Sequence, residues 1–143
     1  MTKKKILIVI FIVVIIIVFM TLRFLLYSST KEEIIEINLS KSYFSGFEIS
    51  EGNTQIKCIL TIENHSDKDV TISIKAHFTD DFKSGLVSDE YVIGKFDDTG
   101  KEYITIKAGE IIEYQEISFY SKNNGCDMKN DRLLPNLIIE EID

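Results

Sequence analysis

The sequence predicts an all-β protein, an immunoglobulin-like antiparallel β-sandwich preceded by one N-terminal transmembrane helix. Two observations carry this prediction. An uncharged apolar run from Ile6 to Leu22 lies near the start of the chain, and such a run is typical of a membrane-spanning helix. The rest of the chain alternates apolar and polar residues in short segments. Turn-forming residues separate these segments about every 8–12 positions, a spacing typical of sandwiches of about 100 residues.

The apolar run is long enough to cross a bilayer as a helix. It comprises 17 residues from Ile6 to Leu22, and continuing to Tyr27 gives about 22 residues, or about 33 Å of helix. A lone segment in lipid satisfies its backbone hydrogen bonds only as a helix, which overrides the strand preference of its Ile and Val residues. Residues 6–27 are therefore predicted to be the transmembrane helix, with Arg23 reaching the headgroups near its end.

The charges around the run predict its orientation. Lys3, Lys4 and Lys5 precede it, and no acidic residue appears before Glu32. The positive-inside rule then places a tail, residues 1–5, in the cytoplasm and all later residues outside the cell membrane. Residues 28–33 form a short stalk, and residues 34–143 form one domain. A cleaved signal peptide is the open alternative. The apolar run is long for such a peptide, and it is followed only by the small residues 28–30 and not by an A-x-A cleavage site.

The part of the chain beyond the run is strongly acidic. After residue 27 there are 12 basic and 23 acidic side chains, a net charge of −11. Such a surface repels phosphate backbones and anionic headgroups, which argues against nucleic acid as a partner. Its ordinary role is to keep a domain soluble, and cationic partners are the ones that it would attract.

The first half of the domain predicts four strands. Residues 35–40 alternate, with Ile35, Ile37 and Leu39 on one face. Residues 43–49 are aromatic and interrupted by Gly46, which favours a bulge. Residues 54–63 and 70–78 alternate strictly and are joined by a polar turn, so they are expected to be antiparallel neighbours. The side chains expected to face inward are Ile56, Cys58, Leu60 and Ile62 on the first of these, and Val70, Ile72, Ile74, Ala76 and Phe78 on the second; Gln55, Lys57, Thr61 and Glu63 are expected to face outward.

The second half of the domain predicts three or four further strands. Residues 80–84 are predicted to be a loop, followed by a weaker strand around residues 91–93 and a turn at 97–100. Residues 102–107 and 111–120 form the next two strands across a turn at 108–110, with Ile117 and Phe119 inward. The longest polar stretch, residues 122–132, has no periodicity and is predicted to be a loop. The last strand covers residues 133–142.

The two cysteines allow two interpretations. Outside the membrane a disulfide between Cys58 and Cys126 is permitted. Cys58, however, occupies a core-facing strand position, where a free cysteine behaves as a small apolar side chain. Two cysteines alone do not make a metal site.

Three short segments resemble a known family. They are the strand–turn–strand at 59–70, the segment 75–80, and the turn at 107–110 before a strand. Over residues 54–120 the chain is similar to the immunoglobulin-like extracytoplasmic domains of membrane-anchored proteins and lipoproteins of Gram-positive bacteria, those of the FxLYD kind among them. Ala108 stands where the family has the Pro of a Pro-Gly-Glu turn, and the F-x-L-Y-D string and a lipidated cysteine are absent. The resemblance implies a binding or accessory module that brings no catalytic residue set.

No motif for catalysis is present in the sequence. It contains no Gly-rich phosphate loop and no H-E-x-x-H, C-x-x-C or G-x-S-x-G string. His65 lies in a turn and His77 on an outward strand position, and neither has a partner that the sequence identifies. We therefore expect a protein that is not an enzyme and needs no cofactor. No D-x-D-x-D-G calcium loop is present, so the acidic loops are interpreted first as solvated and no metal site is predicted. Because loops meet at the ends of a sandwich, the alternative Ca²⁺ ligands are Asp80, Asp81, Asp97 and Asp98, with Asp89 and Glu90 as a third acidic pair.

These patterns predict a membrane-anchored extracytoplasmic interaction module. We expect an accessory or sensor subunit that contacts a protein partner at the outer membrane face, with residues 6–27 in the membrane. The alternative is a domain that binds a small ligand, a divalent cation or a cell-wall polymer through its acidic loops.

Overall fold

The computed structural model describes residues 12–21, 23, 34–126 and 132–142. Residues 12–21 and 23 are helical, and none of the described helices is long and apolar enough to cross a membrane. The predicted tail at 1–5, the stalk at 28–33 and much of the predicted span at 6–27 lie outside the described residues. Contacts divide the chain into two units at Glu33, and every strand of the described residues lies in the second unit, Ile34–Asp143.

The second unit is an all-β antiparallel sandwich with one short helix. Its elements are β1 (Ile35–Ile37), β2 (Tyr43–Ser50), β3 (Asn53–Asn64), β4 (Val70–His77), α1 (Thr79–Ser84), β5 (Tyr91–Phe96), β6 (Ile104–Ile106), β7 (Ile111–Lys122) and β8 (Asn136–Glu141).

The long strands β3 and β4 are the centres of the two sheets. One edge of β3 pairs with β1 and β2, and its other edge pairs with β7. One edge of β4 pairs with β5 and β6, and its other edge pairs with β8. The paired strands therefore run from β1 and β2 through β3, β7, β5 and β4 to β8, and β6 lies beside β4 on the same edge as β5.

Strand β5 belongs to both sheets. Residues 91–93 pair with β4, and residues 94–96 pair with β7. The change occurs at Gly94, where the two layers come close together. A Cβ atom at this position would lie 2.6 Å from Ile117 Cγ1 and 2.8 Å from Phe119 Cε1. Glycine is thus required here by the close approach of the core, not by its backbone angles.

The alternation of β3 and β4 accounts for the core. Side chains at alternate strand positions point to the same face, and the predicted inward residues of β3, together with Ile72, Ile74 and Ala76 of β4, are completely buried. Ile117 and Phe119 join them from β7, and Phe78 and Phe119 pack edge to face with 5.8 Å between ring centroids. These predictions are confirmed, although Val70 is only half-buried.

Four local predictions were wrong. Residues 54–63 and 70–78 were expected to be antiparallel neighbours, but β3 and β4 belong to different sheets and no register pair joins them within the described residues. The turn between them crosses from one sheet to the other, which strict alternation on both strands does not reveal. The segment predicted as a loop at 80–84 lies in helix α1. Its acidic first turn and Gly85, which ends it at φ 82°, are helix-favouring signals, but six residues are too few to show a helical period. Leu39 is exposed because the chain turns after Asn38. Thr61 was expected to face water but is buried under the β1–β2 connection, where its backbone N–H donates to Ser42 Oγ at 3.0 Å.

Candidate functional site

The two histidines have partners that the sequence did not identify. His77 Nε2 lies 3.0 Å from Glu90 Oε1 and 2.9 Å from Thr79 Oγ1, and its ring stacks on Tyr91 with 4.4 Å between centroids. These contacts join the end of β4 to the start of β5. Tyr91 is the register partner of His77 across these strands, so the stack follows from strand pairing.

His65 lies between two opposed carboxylates. Glu36 on β1 and Glu63 on β3 are direct register partners, an arrangement in which like charges repel. His65 Nε2 is 3.3 Å from Glu36 Oε2 and 3.6 Å from Glu63 Oε2. Asn38 Nδ2 also donates to Glu63 Oε1 at 2.8 Å. The group therefore holds β1 to β3 at an exposed surface.

The four aspartates considered for Ca²⁺ do not come together. Asp80 and Asp81 lie in α1 before β5, whereas Asp97 and Asp98 follow β5, about 20 Å further along the strand at 3.3 Å per residue. Asp97 accepts a hydrogen bond from Ser118 Oγ, and Asp98 accepts one from Gln115 Nε2. Among the described residues no three His, Cys, Asp or Glu side chains form a metal-holding group. Binding of a cation, a small ligand or a wall polymer stays a prediction.

Asp81 is instead part of an ion pair. Arg132 Nη2 lies 2.7 Å from Asp81 Oδ1, and Nη1 lies 2.8 Å from Oδ2, so the pair is bidentate. Both side chains are largely shielded from water. The Arg132 guanidinium carbon also lies 5.1 Å from the Phe47 ring centroid on β2. Arg132 thus joins the segment before β8 to both α1 and β2.

The cysteines are free thiols in this structure, so the permitted Cys58–Cys126 bridge is not formed. Asn123 Nδ2 contacts both Thr54 Oγ1 and the Cys126 carbonyl, which places Cys126 near Thr54 at the start of β3. Cys58 lies four residues further, about 13 Å along the strand. A disulfide needs Cα atoms within about 7 Å. Burial in the core raises the pKa of the Cys58 thiol to about 12, which keeps it protonated and unreactive.

Asn64 is a structural residue that the sequence did not reveal. Its side chain is buried, and Nδ2 lies within 3.1 Å of the carbonyl oxygens of Lys68, Ile106 and Lys107. Its Oδ1 accepts from the backbone N–H and the hydroxyl of Ser66. The β3–β4 turn is therefore fixed to the turn between β6 and β7. The partners lie 42 and 43 residues away along the chain, so only the Asn-led turn could be recognised from the sequence.

The tyrosines of the second unit form a set with a common property. The five from Ile34 onward are all exposed, from 45% for Tyr103 to 66% for Tyr114. Tyr114 has φ 59° within an irregular part of β7, which turns its side chain away from the alternation of its neighbours. The others are Tyr43, Tyr91 and Tyr120.

The structure also leaves an open side between β2 and β8. β2 shares one edge of β3 with β1, β8 lies on the edge of β4 away from β5 and β6, and no pairing joins β2 to β8 among the described residues. The inward side chains along this side are apolar and half-buried, and they pack against the common core: Phe44 and Phe47 on β2, Leu137 and Ile139 on β8. Leu133, just before β8, is 90% exposed. We call this gap the β2–β8 seam.

Comparison with known proteins adds no relative. No family model matches the chain, and neither the curated proteins nor the solved structures give a significant match. The resemblance to FxLYD-like domains therefore stays a prediction.

Proposed function

We propose that the chain is a single-pass membrane protein whose extracytoplasmic domain, residues 34–143, is an immunoglobulin-like protein-interaction module. Residues 6–27 are the anchor in this proposal, with residues 1–5 in the cytoplasm. The protein acts as an accessory or sensor subunit and carries out no catalysis of its own.

The exposed tyrosines are the observation that carries the proposal. Tyrosine presents a large apolar ring and one polar group at a low cost in side-chain entropy, and it is enriched in protein interfaces and among the residues that dominate binding energy. Five exposed tyrosines on a rigid antiparallel scaffold supply such contact residues without weakening the core. The buried positions of the same domain are filled mainly by aliphatic residues and phenylalanine.

The sequence of the N-terminal region supports the membrane part of the proposal. An uncharged run after three lysines inserts with its start in the cytoplasm. Anchoring confines the domain to a surface and raises its effective concentration for partners in the same membrane, so a modest interface is sufficient. The net charge of −11 beyond residue 27 favours a partner with a basic face.

The test is an affinity purification of the full-length tagged protein from its own membranes in mild detergent. We expect a stoichiometric partner that is lost when residues 34–143 are deleted. Each of the five exposed tyrosines is then changed singly to serine, with the exposed Lys95→Ser and Lys122→Ser as controls. At least one tyrosine variant should weaken capture by about tenfold or more, the effect of removing an interface hot spot. A protein purified alone, or five tyrosine variants that behave like the controls, would contradict the proposal.

A further inference from the structure

The outer edge of β8 has its backbone groups directed into the β2–β8 seam. Ile142 N–H donates to the Thr71 carbonyl at 2.8 Å, so this register pair is a hydrogen-bonded one. Such pairs alternate along an antiparallel ladder, and β8 is paired with β4 in unbroken register from Asn136 to Glu141. The N–H and C=O groups of Leu137, Ile139 and Glu141 therefore point away from β4. An edge of this kind is a template for another strand.

The ordinary spacing of packed sheets would admit one added strand in the seam. Facing sheets typically lie about 10 Å apart, about twice the 4.8 Å spacing of hydrogen-bonded strands. One wall of the seam is β8 and the other is β2, and Arg132 stands at one end over Phe47. The half-buried apolar side chains of both walls would receive alternate side chains of an entering strand. Leu133 and Phe82, exposed beside Arg132 and Asp81 respectively, add apolar surface at the same end.

The charge around the seam selects the kind of strand. Glu48 on β2, Asp80 on α1 and Glu141 on β8 are all exposed. None of these three carboxylates takes part in an ion pair within the described parts of the chain, whereas Glu140 is paired with Lys75. Basic side chains of such a strand would meet these groups, Glu48 from the outer face of β2 and Glu141 from the inward face at the end of β8.

We propose that a basic, extended segment of a partner protein binds in the β2–β8 seam by adding as a strand to the outer edge of β8. Backbone hydrogen bonds to Leu137, Ile139 and Glu141 provide the affinity, and apolar side chains at alternate positions enter the seam. The inference rests on the proposed interaction function and adds to the exposed tyrosines a second contact region, for which it names the partner's chemistry.

The first test uses the full-length protein in detergent and a capped heptapeptide in which lysine alternates with valine. Binding is followed by fluorescence anisotropy of the labelled peptide, and backbone amide exchange is followed by mass spectrometry. We expect saturable binding and exchange in β8 that is slowed by about tenfold, since the exposed N–H groups become bonded. A counterpart with glutamate in place of lysine should bind at least about tenfold more weakly because the carboxylates of the seam repel it. Absence of binding, exchange that changes elsewhere but not in β8, or equal binding of the acidic peptide would overturn the inference.

Two matched variants distinguish the contribution of a backbone hydrogen bond to peptide binding from that of the Glu141 charge. Glu141→Pro removes one N–H that faces the seam and leaves the bonds to β4 in place, since proline is tolerated at sheet edges. We expect Glu141→Pro to weaken binding of the lysine peptide by about fivefold, the effect of one lost hydrogen bond. Glu141→Gln keeps the N–H and should change the affinity for the same peptide by about twofold. Equal effects of the two variants would contradict strand addition.

The same variants separate this inference from the proposed function. If Glu141→Pro loses the partner captured by affinity purification and Glu141→Gln retains it, the partner binds in the seam. If both variants retain the partner, the interaction function stands and the seam inference fails. Slower β8 exchange at higher protein concentration without peptide would identify a second copy of the chain as the occupant, and this too would overturn the inference.

Discussion

Replacing Asn64 with alanine should be one of the most damaging single changes in the domain. The side chain is only 2% exposed, and it satisfies carbonyl groups from two separate turns, at Lys68 and at Ile106 and Lys107. Alanine would leave these carbonyls without their donor, and Ser66 would lose the acceptor that shapes the turn. The β3–β4 connection would then be attached to the β6–β7 connection by two remaining hydrogen bonds, from the Gly109 N–H to the Ser66 carbonyl at 3.1 Å and from the Ala108 N–H to the Asp69 carboxylate at 3.0 Å.

The size of the effect follows from the number of groups affected. Nδ2 carries two hydrogens, and a buried group that loses its partner costs about 1–3 kcal/mol. Asn64→Ala should therefore lower the free energy of unfolding by about 3 kcal/mol, a large part of the 5–15 kcal/mol that is typical of a domain. The corresponding fall in Tm is about 10–15 °C for a domain of this size.

The assay is urea unfolding of the full-length protein, followed by far-ultraviolet circular dichroism because the chain has no tryptophan. Asp67→Ala is the control, since Asp67 is exposed in the same turn and its loss should cost less than about 0.5 kcal/mol. Asn64→Asp keeps the acceptor for Ser66 but sets a carboxylate oxygen against the carbonyls of Ile106 and Lys107. It should cost at least as much as alanine. The reasoning is refuted if Asn64→Ala lies within about 1 kcal/mol of the control, or if the aspartate variant is neutral.

Two further predictions concern the core. Gly94→Ala should lower the free energy of unfolding by about 1–3 kcal/mol by crowding Ile117 and Phe119, whereas the control Gly46→Ala, whose Cβ would meet no atom within 4 Å, should be nearly neutral. Adding Ile117→Val to Gly94→Ala should recover part of the lost stability. If urea unfolding shows that the effects of the two substitutions simply add, this prediction is contradicted. Burial raises the pKa of Cys58 from 9.0 to about 12, so the folded state holds the thiol proton more tightly than the unfolded state does. The resulting contribution to the free energy of unfolding is complete below pH 9 and falls by about 1.4 kcal/mol per pH unit as the pH rises toward 12. Cys58→Ala should remove this part of the alkaline slope, and identical slopes for both proteins would disprove it.

The strand pattern was predictable because one face of each strand is buried. Where a strand is half-buried, alternation identifies both its presence and its inward side chains, as it did for Ile56 to Ile62 on β3. The same logic failed at Thr61, because water is excluded there by the β1–β2 connection, a neighbour that alternation within β3 does not indicate. Sequence periodicity also does not show that β5 changes sheets, since its alternation continues unbroken through Gly94.

The candidate site was far less predictable than the fold. Tyr114 is exposed because β7 is irregular at that position. The β2–β8 seam exists because these two strands do not pair with each other in the part of the chain that the structure describes. Both depend on pairings between residues distant in the chain. The pairing of Arg132 with Asp81, 51 residues apart, likewise depends on a long-range proximity that the sequence does not show.

The sharing of β5 between the two sheets has a mechanical consequence. The backbone of β5 connects both layers directly, so separating the layers on that side requires breaking its bonds to β4 or β7 as well as the core around Gly94. On the opposite side the layers are joined by side chains, including the Arg132 guanidinium. Under force or partial unfolding, the two sheets should therefore separate first at the β2–β8 seam and stay connected longest at β5.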